Sequence, residues 1–173
     1  MKTRFVVLLL GLAAAAAPSL AATKARPPDG PHLRPELEPL RFLVGHCWRG
    51  KFENEAVDTH CFESAHGGQH VRDRHEVIGP DSPYRGETLY SWDGEASRIR
   101  YTYRNSAGRV SRGTVAANAD GLDFGSETYA GADGHRMTIS TIWRKIGGVA
   151  YDAESRSGAD PKENRAVRYR RVD

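Results

Sequence analysis

Histidine is the side chain best suited to act near neutral pH as metal ligand, general base or hydrogen-bonding anchor. Of the chain's seven histidines, His46, His60 and His75 recur at intervals that a β-sheet can bring together, with Asp73 beside the last. Imidazoles on facing strands, with Cβ atoms ~5 Å apart, could ligate zinc or another transition metal and leave a position open for water. They could equally hold an anionic or hydrogen-bonding ligand, or bond only to one another, to Asp73 and to tyrosine hydroxyls. A second set is aromatic: Trp48, Phe62, Tyr90, Trp92, Tyr101, Tyr103, Trp143, Tyr151 and Tyr169. Amphipathic rings with few polar groups among them suit the wall of a small-molecule cavity, and they suit a packed core equally well.

Other chemistries find less support. His66 and His70 imitate an H-x-x-x-H metal pair, but that spacing works on a helix and these two straddle Gly67-Gly68, which reads as a turn. No G-x-S-x-G nucleophile elbow is present, and no glycine-rich loop precedes a helix to cradle phosphate. The arginines at 98, 100, 104, 109 and 112, and again at 165, 168, 170 and 171, read as outward strand positions of a solvated surface. The formal charge is +3, and loss of Lys2 and Arg4 with a leader leaves 23 basic against 22 acidic residues, or +1. So even a balance offers no concentrated positive surface, and nucleic acid is not an expected partner.

The elements that must position these residues are strands. At 173 residues the chain fits one domain. From Phe42 onward, short runs with period two alternate with Gly, Asn, Asp and Pro. They place strands at 42–52, 57–65, 69–78, 85–92, 98–104, 110–116, 122–128, 135–145, 150–155 and 166–172. Turn residues stand between them at Gly67-Gly68, 80–83, Asp93-Gly94, Asp120-Gly121, Asp133-Gly134 and Gly147-Gly148. After Arg41 no window carries a helical apolar face. About ten strands at short intervals make an all-β sandwich or barrel.

Register follows for the first three strands. If Cys47 faces Cys61, then Trp48 lies opposite His60, His46 opposite Phe62 and Phe52 opposite Ala56. A tight Gly67-Gly68 turn sets His60 against His75, Phe62 against Asp73 and Ser64 against Val71. Alternation then gathers Phe42, Val44, His46, Trp48, Phe52, His60, Phe62, Val71, Asp73, His75 and Val77 on one face. That face is the apolar one and should point inward, taking the histidines with it.

Residues 39–52, PLRFLVGHCWRGKF, resemble the first strand of the ten-stranded calycin-type barrels. Nitrobindin-like proteins and small exported bacterial domains of that shape open on a similar Leu-Leu-Gly-x-Trp-x-Gly pattern. The resemblance implies an antiparallel up-and-down β-barrel of about ten strands with an internal cavity. Here the spacing Gly45-His46-Cys47-Trp48 is one residue longer, room for a bulge. Nitrobindin-like proteins take their axial haem histidine from the C-terminal part of the chain, whereas the last histidine here is His135. No haem site is carried over, and no cofactor is assigned beyond the metal alternative.

The ends suggest a compartment. Residues 1–21 read as a secretory signal: Lys2 and Arg4, an apolar run, then Ser19-Leu20-Ala21 with small residues where a signal peptidase cuts. A membrane anchor is the alternative for this segment. Residues 22–40, rich in proline, read as an extended leader with at most one helical turn over 36–41, and 41–173 as a single barrel domain. Export to periplasm or medium permits a Cys47–Cys61 disulfide; two buried thiols are the alternative. The expectation is thus a barrel that binds a small, partly apolar ligand through His46, Trp48, His60, Phe62, His75, Tyr90, Trp92, Tyr101, Tyr103 and Trp143. A metal- or histidine-dependent enzyme in the same cavity, with His46, His60 and His75 as ligands, and a filled barrel with an interacting exterior are the alternatives.

Overall fold

A computed structural model of the chain describes residues 32–79, 83–130, 136–158 and 160–173. Ten antiparallel strands follow in order: β1 Cys47–Lys51, β2 Val57–Ala65, β3 His70–Ile78, β4 Tyr84–Asp93, β5 Arg98–Asn105, β6 Val110–Asn118, β7 Gly121–Ala130, β8 Arg136–Ile146, β9 Ala150–Ser157 and β10 Arg165–Arg171. Each pairs with its neighbour in sequence, and β1 closes onto β10 through Trp48–Arg171 and Arg49–Arg170. The sheet is a closed up-and-down barrel, which leaves no unpaired edge. It is consistent with a calycin-like fold. The signal-like segment, the turns at 80–82 and 133–134, and His135 lie outside the described residues.

The anticipated registers hold. Cys47 pairs with Cys61, Trp48 with His60, His60 with His75, Phe62 with Asp73 and Ser64 with Val71. Cys47 and Cys61 are joined as a disulfide between β1 and β2. The turn after β2 spans 66–69 rather than two residues, which leaves the pairing unchanged because Ala65 still meets His70.

The first strand is shorter than its alternation suggests. Leu43 and Val44 donate backbone hydrogen bonds to Leu40 and Arg41, so the chain is still turning there, and Gly45 takes a φ of +86° before β1 begins. Period-two reasoning has no force through such a segment.

One end of the barrel is covered by the chain that precedes β1. Pro35–Leu40 forms a 3-10 helix whose φ-restricted Pro35 suits its start, and Leu33, Leu37, Leu40, Leu43 and Val44 are all buried in the core beside Phe62, Val71 and Ile99. This cover is hydrogen-bonded in place: Arg34 N–H donates to Gly68 C=O at 3.0 Å, and the Ser64 hydroxyl to His32 C=O at 2.6 Å. Gly68 permits the approach, since a Cβ there would stand 2.5 Å from the His32 carbonyl oxygen and its φ is +88°. The described end of the leader is therefore part of the barrel's core.

Candidate functional site

β2 and β3 bring His60 and His75 together as register partners on the inner face, their rings stacked with centroids 4.6 Å apart and planes 16° from parallel. Two buried carboxylates bracket them. His60 donates from Nδ1 to Asp73 Oδ2 at 2.8 Å and from Nε2 to Asp58 Oδ2 at 2.9 Å. His75 donates from Nδ1 to the other Asp58 oxygen at 3.1 Å, and its Nε2 is hydrogen-bonded to the Tyr103 hydroxyl at 3.0 Å. Tyr103 and Tyr84 share a hydroxyl–hydroxyl bond of 2.6 Å, and the Asn105 amide donates to Tyr84 at 2.7 Å. From β10, on the far side of the closure, the Tyr169 hydroxyl donates to Asp58 at 2.8 Å. A chain of hydrogen bonds thus runs from Asn105 to Asp73 through the interior.

The electrostatics follow from burial and pairing. Asp58 and Asp73 are 3% and 1% exposed, so their charges must be compensated inside. Burial alone would raise the Asp58 carboxyl, but hydrogen bonds from His60 and His75, and their charge, hold it well below the usual carboxylate range. Burial alone would lower His60; the charge of Asp73 and the hydrogen bonds to both carboxylates outweigh it and raise the imidazole to about 10. His60 is therefore an imidazolium held between two carboxylates. Tyr169 is pushed up by burial and by the neighbouring Asp58 charge, so it remains a donor.

Close packing of this group needs Gly86, the β4 partner of His75. A Cβ there would overlap His75 Nε2 and come 2.5 Å from Tyr103 Cε2. A side chain at 86 would separate the imidazole from the phenol.

Beside the network lies a cavity of about 520 Å³. His60, His75, Tyr90, Tyr101, Tyr103 and Trp143, all expected as ligand-facing, line it. So do Asp73, Phe52, Tyr84, Ser111, Phe124, Glu127, Arg165 and Tyr169, among others. Asp73 Oδ1, the Tyr101 hydroxyl and Ser111 Oγ, all on lining residues, are buried without a hydrogen-bond partner in the structure.

Four expected residues stand elsewhere. His46 lies beyond β1, its Nδ1 3.3 Å from Asp173 and its Nε2 3.4 Å from the Arg171 guanidinium, with a side chain 35% exposed. Trp48 is fully buried and donates its indole N–H to the Leu43 carbonyl at 3.1 Å, so it belongs to the covered end. Phe62 is core beside it. Trp92 lines a shallow groove at that same end, with Pro39 and Ile99. His46 sets its ring edge-on to Trp48, with centroids 6.2 Å apart, whereas His60 stacks on His75, so the expected trio is not assembled.

The metal reading changes accordingly. Without His46, the atoms that gather are those of Asp58, His60 and His75, within 4.8 Å of one another. Ligand atoms ~2.0–2.2 Å from a tetrahedral ion would stand about 3.3 Å apart, whereas here the His60 and His75 nitrogens sit 2.9 and 3.1 Å from Asp58 oxygens as hydrogen-bond donors. An ion could enter only by expelling the His60 proton and breaking both bonds, so these residues fit hydrogen bonding better than a metal.

Asp58 was the main residue that sequence reasoning missed, although it stands two positions before His60 and so shares its face. Tyr169 became visible only with barrel closure. Neither a scan against protein-family models nor a search of the curated proteins finds a match for the chain. Fold and site define a closed β-barrel with a buried Asp–His–Asp network beside an aromatic cavity. No helix among the described residues is long and apolar enough to cross a membrane.

Proposed function

We propose that this chain is an exported β-barrel that binds a small, partly apolar ligand in its interior. The observation that supports it is the cavity itself. Its volume of about 520 Å³ falls in the range of small-molecule sites, roughly 300–1,000 Å³. Its wall of Phe124, Trp143 and tyrosines supplies apolar burial, while Asp73, Tyr101 and Ser111 supply uncommitted polar atoms that fix orientation.

Catalysis at the histidines has less support. Every ring nitrogen of His60 and His75 already holds a hydrogen-bond partner, so neither offers a lone pair to a substrate without breaking the network. Export is inferred from the signal-like residues 1–21 together with the disulfide. The closer likeness to nitrobindin-like and small exported domains rests on the opening motif and, more loosely, on the run of strands that follows it.

Titration with the uncharged fluorescent probe N-phenylnaphthylamine, alongside native mass spectrometry of the purified protein, tests the binding role. Saturable uptake at one site per chain is expected. A protein that takes up neither this probe nor any small aromatic compound refutes it. Expression with the natural start should yield a mature chain lacking the first 21 residues; an intact N-terminus in the exported fraction refutes the cleavage.

A further inference from the structure

We infer that the cavity selects organic cations: small ligands carrying a protonated amine on an apolar, preferably aromatic, body. This rests on the interior-binding reading and names the class of ligand. The first observation is Asp73 Oδ1. The residue is 1% exposed and lines the cavity; one oxygen is committed to His60, and the other has no partner. A buried carboxylate oxygen left unpaired is destabilising, and an N–H donor brought by a ligand removes that penalty.

The second observation is what surrounds that oxygen. Asp73 and Asp58 take both ring nitrogens of His60, so the Asp73 oxygen that is left over has no donor within the network. Glu127 adds a carboxylate to the lining, and Arg165, whose side chain is exposed, adds a cation. A ligand carboxylate would meet the unpaired Asp73 oxygen unfavourably, and a neutral ligand would give it a weaker hydrogen bond than an ammonium group does.

The third observation is the wall. Tyr90, Tyr101, Tyr103 and Trp143 line the same space. Aromatic faces attract a cation within ~6 Å of the ring centre, most strongly where water is excluded. The rings and the carboxylate therefore favour the same ligand: an ammonium group donating to Asp73, with its body among the aromatic side chains.

Three near-isosteres separate this class from the alternatives: phenethylamine, phenethyl alcohol and phenylacetate, each used to displace N-phenylnaphthylamine from the full chain at neutral pH. Phenethylamine should displace the probe at a concentration about tenfold lower than the alcohol, since a charge-assisted hydrogen bond is roughly twice as strong as a neutral one. Phenylacetate should be the weakest. Asp73→Asn should bring the amine and the alcohol to near parity. Parity in the unmodified protein, or a preference for the alcohol or the acid, overturns the cation assignment and leaves the cavity reading intact. If neither the probe nor any of the three binds, both fall. The comparison in the unmodified chain decides the matter even if Asp73→Asn does not fold.

Discussion

His60 and Asp73 are diagonal neighbours across β2 and β3, not register partners: His60 pairs with His75 and Asp73 with Phe62, yet the imidazole Nδ1 reaches the carboxylate at 2.8 Å. The reach is diagonal because the direct partner position is filled by a second imidazole, against which His60 stacks. Asp58 takes the other nitrogen, so His60 joins two buried carboxylates that would otherwise repel each other.

The first prediction concerns pH. His60 is raised from 6.5 to about 10 by its carboxylate partners against the opposing effect of burial. A group whose pKa rises on folding stabilises the native state fully below its unfolded value, and that contribution fades as pH climbs through the folded one. Stability should therefore fall between pH 6.5 and about 10. Asp58, held below its ordinary value, acts in the opposite sense: its contribution is present above about pH 4 and fades as the medium becomes more acidic. Urea midpoints measured across this range should trace a maximum between those limits. A flat profile through the alkaline half contradicts the imidazolium assignment.

A second prediction follows from the number of donors that converge on Asp58. Asp58→Ala leaves His60 Nε2, His75 Nδ1 and the Tyr169 hydroxyl without their acceptor. Removing one member of a buried charged pair typically destabilises by about 3–5 kcal/mol. Asp58→Asn keeps an oxygen and the side-chain volume, so its loss should be smaller. Equal losses, or a loss within the ~0.5 kcal/mol of an ordinary surface change, would show that the network does not hold the interior.

How much of this was legible can be judged residue by residue. The disulfide and the Gly67-Gly68 turn, both local features, fixed the pairing of His60 with His75. His46 was misplaced because alternation was extended through a segment that Gly45, at φ +86°, takes out of the strand. Asp58 was within reach of the same alternation, but an acidic residue near a strand end reads by default as solvated. Tyr169 meets Asp58 across 111 residues of sequence, and only the closure of β10 onto β1 brings them together. No local pattern in either strand encodes that meeting.

Gly86 gives a third prediction. Gly86→Ala adds a methyl group where His75 Nε2 and Tyr103 already stand. Overpacking of this kind typically destabilises by about 1–3 kcal/mol, and here it should also part His75 from Tyr103. Gly148→Ala is the control, because nothing lies within 4 Å of its added Cβ. Thermal melts should separate the two variants. Indistinguishable melts would mean that the contact around His75 is looser than its geometry.

The fourth prediction separates the disulfide from the network. Cys47–Cys61 ties β1 to β2, whereas the pairing of His60 with His75 belongs to β2 and β3 and the diagonal to Asp73 lies within that same pair of strands. Breaking the disulfide relaxes the unfolded chain and should lower stability by about 2–4 kcal/mol. It removes no hydrogen bond from the interior: β1 remains paired with β2 over five residue positions, and Trp48 remains buried at the covered end. The doubly substituted Cys47→Ser, Cys61→Ser chain should therefore unfold at lower denaturant while keeping the histidine NMR signals, the alkaline loss of stability and the uptake of N-phenylnaphthylamine. If those three properties vanish under conditions where the variant remains folded by circular dichroism, the disulfide positions the site as well as stapling the barrel, and β1 must be counted among the elements that set the interior geometry.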